Sequence, residues 1–144
     1  MKTVLLDVED EHLRDLYYAG VTYAMREVED KTTYMHRVIM NCPEGMQVDH
    51  INGNKKDNRR SNLRICSASQ NMANRSKPSN NTSGYKGVGW RKSRCKWIAS
   101  IRVNSNLYHL GSFDCKHQAA LTYDIAAKKY FGEFADLNFN LELT

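Results

Sequence analysis

The sequence predicts an α+β chain made of two small modules. The first is a ββα unit carrying an N-terminal α/β extension, and the second is a three-stranded antiparallel sheet packed on one helix. Three observations predict it. A strand, loop, strand, helix pattern occupies residues 48–75, a polar, turn-prone stretch follows, and beyond it short alternating segments give way to a long run at helical spacing.

The chain of 144 residues, 41% of them hydrophobic, has room for one ordinary domain or two small ones. No apolar run approaches the twenty or so residues of a membrane span, and acidic residues begin at Asp7, too early for the apolar part of a signal peptide. A cytoplasmic protein with no membrane partner is therefore expected. Cys42, Cys66, Cys95 and Cys115 are scattered, without C-x-x-C pairing or histidines at zinc-finger spacing, and read as packing residues in a reducing compartment.

The first forty residues hold no catalytic constellation. Val4 to Leu6 reads as a strand, Asp10 to Leu16 as a short helix, and Tyr17-Tyr18 with Tyr23 to Val28 as a hairpin through Gly20. Met35, Val38 and Ile39 sit at helical spacing, so a short amphipathic helix is expected before the Pro43-Glu44-Gly45 turn.

Val48 to Arg75 organises the rest. Asp49 and His50 lie between Val48 and Ile51, an apolar frame that suits a strand. Asn52, Gly53, Asn54, Asp57 and Asn58 are turn-formers, and Leu63-Arg64-Ile65-Cys66 returns as a second strand. Ser67 with Gln70 has capping-box spacing and opens a helix. An acid, an imidazole and spaced asparagines in a basic segment point to metal-assisted phosphodiester hydrolysis. An imidazole titrating near neutrality can take a proton from water.

Val48-Asp49-His50-Ile51-Asn52-Gly53-Asn54, Asn62-Leu63-Arg64 and Ser69-Gln70-Asn71 resemble the HNH nuclease motif in its phage homing-endonuclease form. The resemblance implies that Asp49 and Asn71 hold one divalent ion, for which their oxygen atoms suit Mg2+ or Mn2+ rather than zinc, that His50 is the general base, and that Asn62 pins the loop orienting His50. Asn71 stands where other HNH branches carry a histidine. His36-Arg37 is similar to a His-Arg pair that precedes the motif in phage members, which would put His36 on a phosphate or against the site.

Charge is unevenly spread. Residues 1–48 carry five Lys or Arg against nine Asp or Glu, residues 49–75 six against two, residues 76–113 seven against none, and residues 114–144 three against five. A basic middle favours a polyanion, and double-stranded DNA is the expected partner. Phosphate contacts are expected from among Lys55, Lys56, Arg59, Arg60, Arg64 and Arg75.

Ser76 to Gly84 is polar and turn-prone, and divides a nuclease domain over residues 1–76, with its ββα core at about 47–76, from a module over 85–140; residues 77–84 read as a linker. In the second module Gly87 to Lys92, Lys96 to Val103 and Leu107 to Phe113 read as strands. Trp97, Ala99, Ile101 and Val103 alternate with Lys96, Ile98, Ser100 and Arg102, so that one face can be buried. A helix is expected from about Lys116 to Phe131, with Asp114 as N-cap and Gly132 just past its end.

Tyr85-Lys86-Gly87-Val88, Lys96-Trp97, Leu110-Gly111-Ser112-Phe113, Ala119-Ala120, Tyr123-Asp124 and Leu137-Asn138-Phe139 resemble the AP2 DNA-binding domain. The resemblance implies a sheet lying in the major groove with Lys86, Arg91, Ser100, Arg102, His109 and Ser112 on the DNA face and Tyr123 on a phosphate. Gly89, Ser100 and His109 depart from that family's arginine, glutamate and tryptophan, so plant target preferences do not transfer.

The expected activity is a metal-dependent HNH DNA endonuclease that leaves 5′-phosphate and 3′-hydroxyl ends. It is expected to act as a monomer, with a dimer as the alternative. The rival readings are a non-cleaving AP2-type regulator and an RNA-directed nuclease.

Overall fold

A computed structural model describes residues 3–139, and the chain divides into two compact units between Asn71 and Met72. The mixed α/β architecture with three-stranded antiparallel sheets and a long C-terminal helix is the one the sequence predicts.

The first unit opens with a 3-10 turn, Val8–Leu13. A small antiparallel sheet follows, with strands β1 (Tyr18–Ala19), β2 (Ala24–Val28) and β3 (Lys31–Tyr34) in that order. The hairpin through Gly20 is formed as expected, pairing Tyr18 with Met25 and Ala19 with Ala24. Strand β3 is invisible in the sequence because its Lys-Thr-Thr-Tyr run, half of it exposed, carries no apolar alternation. Its turn is made by Glu29 and Asp30, both at positive φ, without the Asn-Gly signature that usually announces such a turn. The expected strand at Val4 to Leu6 reduces to one parallel bridge, Leu5 to Asp57. There Leu5 N donates to Lys56 O and Asn58 N donates to Leu5 O. The expected helix from Asp10 to Leu16 is the shorter 3-10 turn. Asp10 and Glu9 are drawn onto Arg60, and the Asp7 carboxylate accepts Arg60 N, so the acidic side chains serve a tertiary contact rather than a longer helix.

Helix α1 (Met35–Ile39) leads to β4 (Gln47–His50), which pairs antiparallel with β5 (Leu63–Cys66) in the register Gln47 to Cys66, Asp49 to Arg64 and His50 to Leu63. Helix α2 (Ala68–Ala73) then begins through the expected capping box, in which Ser67 N donates to Gln70 Oε1 at 2.8 Å and Gln70 N donates to Ser67 Oγ at 3.2 Å. Leu13, Tyr17, Ala24, Met35, Ile39, Val48 and Leu63 form the core, so the inward residues of α1, β4 and β5 meet beneath the site.

In the second unit β6 (Val88–Arg91), β7 (Lys96–Val103) and β8 (Asn106–Phe113) form an antiparallel meander packed on α3 (Lys116–Phe131). Val88 and Ala99 pack on Ala119 and Ala120, while Ile101 packs on Tyr123, Ala127 and Phe131. Small helix residues bring α3 close to the sheet. Gly87 is the tightest approach: at φ +74° it lies against the Tyr123 ring, where an added Cβ would fall 1.9 Å from Cδ2. Gly132 ends the helix at positive φ as expected, but Cys115 occupies the N-cap position because Asp114 instead pairs with Lys96 at 2.5 Å. The stretch 77–84 is hydrogen-bonded within this unit: Asn81 Oδ1 accepts Gly84 N, and Lys77 Nζ donates to Gly84 O. Buried Asp124 fastens the segment after the helix by accepting the backbone N–H groups of Asn138 and Phe139, both at 2.9 Å.

Candidate active site and nucleic-acid interface

The loop between β4 and β5 is built around its polar side chains. Asn62 Oδ1 accepts Asn52 N at 3.0 Å and its Nδ2 donates to Asp57 O at 2.9 Å, closing the loop from both ends. Asp57 is held by Asn52 Nδ2 and by a two-point ion pair with Arg59, whose guanidinium keeps its carboxyl below the usual range. Asn58, fully buried, accepts a hydrogen bond from His50 Nε2 at 3.0 Å. Its Nδ2 lies 3.4 Å from Met35 Sδ, which orients the amide so that oxygen faces the imidazole. The proton of neutral His50 therefore sits on Nε2, and Nδ1 is the nitrogen that can accept another.

Burial lowers the His50 pKa, against the opposing pull of Asn58 and of the nearby Asp49 and Asp57 carboxylates. The imidazole is thus kept in its basic form. His36 lies beside it, with ring centroids 5.2 Å apart, in a cluster with Tyr23 and Tyr34. It is 7% exposed, its Nδ1 has no hydrogen-bond partner among the described residues, and burial followed by the neighbouring His50 and Arg37 lowers its pKa to about 4. The structure places His36 behind the site, not on a surface that a phosphate could touch.

Asp49 is buried and its Oδ2 accepts Arg64 Nε at 2.9 Å and Nη2 at 2.8 Å. Gln47 and Asp49, two apart on β4, share a face, and Asn71 Nδ2 donates to Gln47 Oε1 at 2.6 Å. That bond ties Asn71 to β4 two residues from Asp49 and commits its nitrogen. A carboxylate and an amide oxygen make a hard donor set, which fits Mg2+ or Mn2+. Another acidic group, Asp7, Glu9 and Asp10, is already matched by Arg60.

Of the basic residues expected on phosphate, Arg59, Arg60 and Arg64 are each committed to an acid of the same unit, namely Asp57, Asp10 with Glu9, and Asp49. Their positions follow from tertiary pairing that charge counting does not see. Arg75 is exposed beyond α2. Gln47, Asn52, Asp57 and Asn58 are site residues that the sequence reading missed or took only as turn-formers. For Asn52, Asp57 and Asn58 the density of Asn and Asp between two strands was the available signal, and Gln47 carried none.

On the second unit, Arg91, Ser100, Arg102, His109 and Ser112 share the sheet face opposite α3. Ser100 pairs with His109, Ile98 with Ser112, and Arg91 with Lys96. Arg91, Arg102, His109 and Ser112 are exposed, and a shallow depression of about 390 Å³ lies among Gly89, Arg91, Ile98 and Ser100. Two expected DNA-face residues are turned inward. Lys86 Nζ donates to the carbonyls of Ala73 and Arg75 and its pKa is lowered by burial. Tyr123 is packed under Gly87, with burial raising its pKa to about 12.

The HNH endonuclease family model HNH_3 matches residues 33–73, the span from β3 to the end of α2. The chain is 32% identical over 93 residues to Protein 3.8 of Escherichia phage T7, covering 65% of this chain and 76% of that protein. The chain belongs to the HNH endonuclease family. It is also 39% identical over 97 residues to the uncharacterized HNH endonuclease L560 of Acanthamoeba polyphaga mimivirus, covering 67% of this chain and about half, 49%, of that protein's length. Over a separate region it is 41% identical across 64 residues to APETALA2-like protein 2 of Oryza sativa subsp. indica, covering 44% of this chain and 15% of that protein. This HNH endonuclease chain thus carries an AP2-like module after its nuclease unit. Among the described residues, no helix is long and apolar enough to cross a membrane.

Proposed function

We propose that this chain is a divalent-metal-dependent DNA endonuclease of the phage homing type, positioned on its target by the AP2-like sheet. The observation that carries the reading is the His50–Asn58 hydrogen bond, which presents a neutral imidazole next in sequence to the buried Asp49 carboxylate. Asp49 and Asn71 are the residues that would hold Mg2+ or Mn2+. Such an ion, when bound, stabilises negative charge on the phosphate and on the leaving oxygen.

His50 Nδ1 takes a proton from water as the water oxygen bonds to phosphorus. The bond from phosphorus to the 3′ oxygen breaks, leaving a 5′-phosphate on one product and, once the leaving oxygen is protonated, a 3′-hydroxyl on the other. Asn58 holds the imidazole, and Asn62 holds the loop that carries Asn58. One site cuts one strand, so a monomer nicks, and both strands are cut only by a second protomer or by reorientation. Arg91 and Arg102 supply major-groove and phosphate contacts from the exposed sheet face. The setting is the cytoplasm of the host cell.

Supercoiled plasmid carrying the sequence around the gene's own insertion point tests this. With Mg2+ or Mn2+ the chain should convert it to nicked circles, and His50→Ala should bind duplex normally yet leave it intact. Wild-type protein that leaves this plasmid intact with either metal would establish the non-cleaving regulator instead. Preference for RNA over duplex DNA in competition would establish an RNA-directed enzyme, since the narrow A-form major groove does not admit the sheet.

A further inference from the structure

We infer that Arg64 is a positioning residue that stands in for the metal ion on Asp49 and couples ion binding to the arrival of DNA. The inference rests on the proposed nuclease reading and assigns Arg64 a role in it. Cross-strand register sets Arg64 directly opposite Asp49, and both Nε and Nη2 converge on the single oxygen Oδ2.

The pair is largely shielded, with 15% of the arginine side chain and 6% of the aspartate side chain exposed. A carboxylate this deeply buried is costly to leave without a counter-charge, so the ion-free state needs a cation there. Arg59 and Arg60 also pair with acids, but Asp57 braces the loop and Asp10 the N-terminal turn. Arg64 alone of the three pairs with a candidate ligand of the ion.

A divalent cation and a guanidinium crowded onto one carboxylate repel each other, so the ion gains its full attraction to Asp49 only as Arg64 withdraws. A DNA phosphate offers the guanidinium an alternative two-point partner of the same charge. Strand entry then draws Arg64 away and hands Asp49 to the ion. Ion affinity is accordingly low in the resting protein and rises on duplex, and by reciprocity the ion tightens duplex binding to the same degree.

Calorimetric titration of Mn2+ into the 144-residue chain, with and without a mixed-sequence duplex, tests the coupling. A His50→Ala background prevents cutting. With Arg64 present, duplex should tighten Mn2+ binding by about tenfold or more. Arg64→Gln should bind Mn2+ about tenfold more tightly than its parent in the absence of DNA, and duplex should add little further. An Arg64→Gln protein that melts cooperatively but binds Mn2+ no more tightly without DNA would overturn the inference.

If Arg64→Gln does not fold, Arg64→Lys carries the test. It keeps the charge but replaces the fork with one flexible donor, so DNA-free Mn2+ binding should tighten, and unchanged binding would sink the idea. Failure of the Arg64 parent to bind Mn2+ in either condition, or equal binding after Asp49→Ala, strikes at the nuclease reading itself and is distinguishable from both.

Discussion

His50 donates its Nε2 proton to Asn58 Oδ1 across 3.0 Å, between two side chains almost wholly shielded from solvent. Asn58→Ala removes the acceptor and leaves a buried ring N–H without that partner, at a cost of about 1–3 kcal/mol in stability. Because the imidazole then loses its fixed tautomer and direction, nicking should slow by about 100-fold while duplex affinity stays within about threefold. Single-turnover nicking and gel-shift titration read the two effects separately. Equal losses in both would make Asn58 a folding residue only.

His36 ties stability to pH. The unfolded chain protonates this imidazole near the ordinary 6.5, whereas the folded protein holds it at about 4. Between those values the unfolded state takes up a proton that the native state refuses, so the contribution is complete above pH 6.5 and is lost as pH falls towards 4. The loss amounts to at most about 3 kcal/mol. The difference in urea midpoint between wild type and His36→Phe, followed at several pH values in that window, should shift against wild type as the pH falls. A constant difference would show that His36 does not titrate in this way.

Arg91 and Arg102 lie exposed on the sheet face away from α3, and Arg102 Nη1 donates to the nearby Ser105 carbonyl at 3.0 Å. If either contacts phosphate, its replacement by Ala should weaken binding to all duplexes alike and reduce the log–log salt slope by about one. If it reads guanine, the loss should be about 1–3 kcal/mol and confined to sites carrying that base. Binding isotherms at several salt concentrations on specific and unrelated duplexes separate these outcomes.

Gly87→Ala places a methyl group inside the Tyr123 ring at a backbone angle that favours glycine. The substitution should cost about 2–5 kcal/mol and loosen the sheet from α3. Duplex binding should fall sharply, and thermal melting should show the loss. Gly89→Ala is the control, because nothing among the described residues lies within 4 Å of its added Cβ.

The local signals in the sequence were the strong ones. The Ser67–Gln70 capping box, the alternation through Ala99 and Ile101, and the alanine-lined spacing of α3 all act between residues close in the chain, so their outcome was legible before any folding. Asp49, His50, Asn62 and Asn71 could be singled out because that residue pattern carries a family resemblance. The partners of charged groups could not. Arg59, Arg60 and Arg64 look alike as basic residues in a basic segment, yet hairpin register and the return of the N-terminal turn give each an acid of its own. Lys86 and Tyr123 were placed on DNA, and His36 on a phosphate or against the site, by family resemblance alone, and packing turned each inward. Local spacing decides secondary structure through hydrogen bonds a few residues long. Which charges meet and which imidazole is sheltered depends on loop closure over tens of residues, and only the tertiary fold decides that.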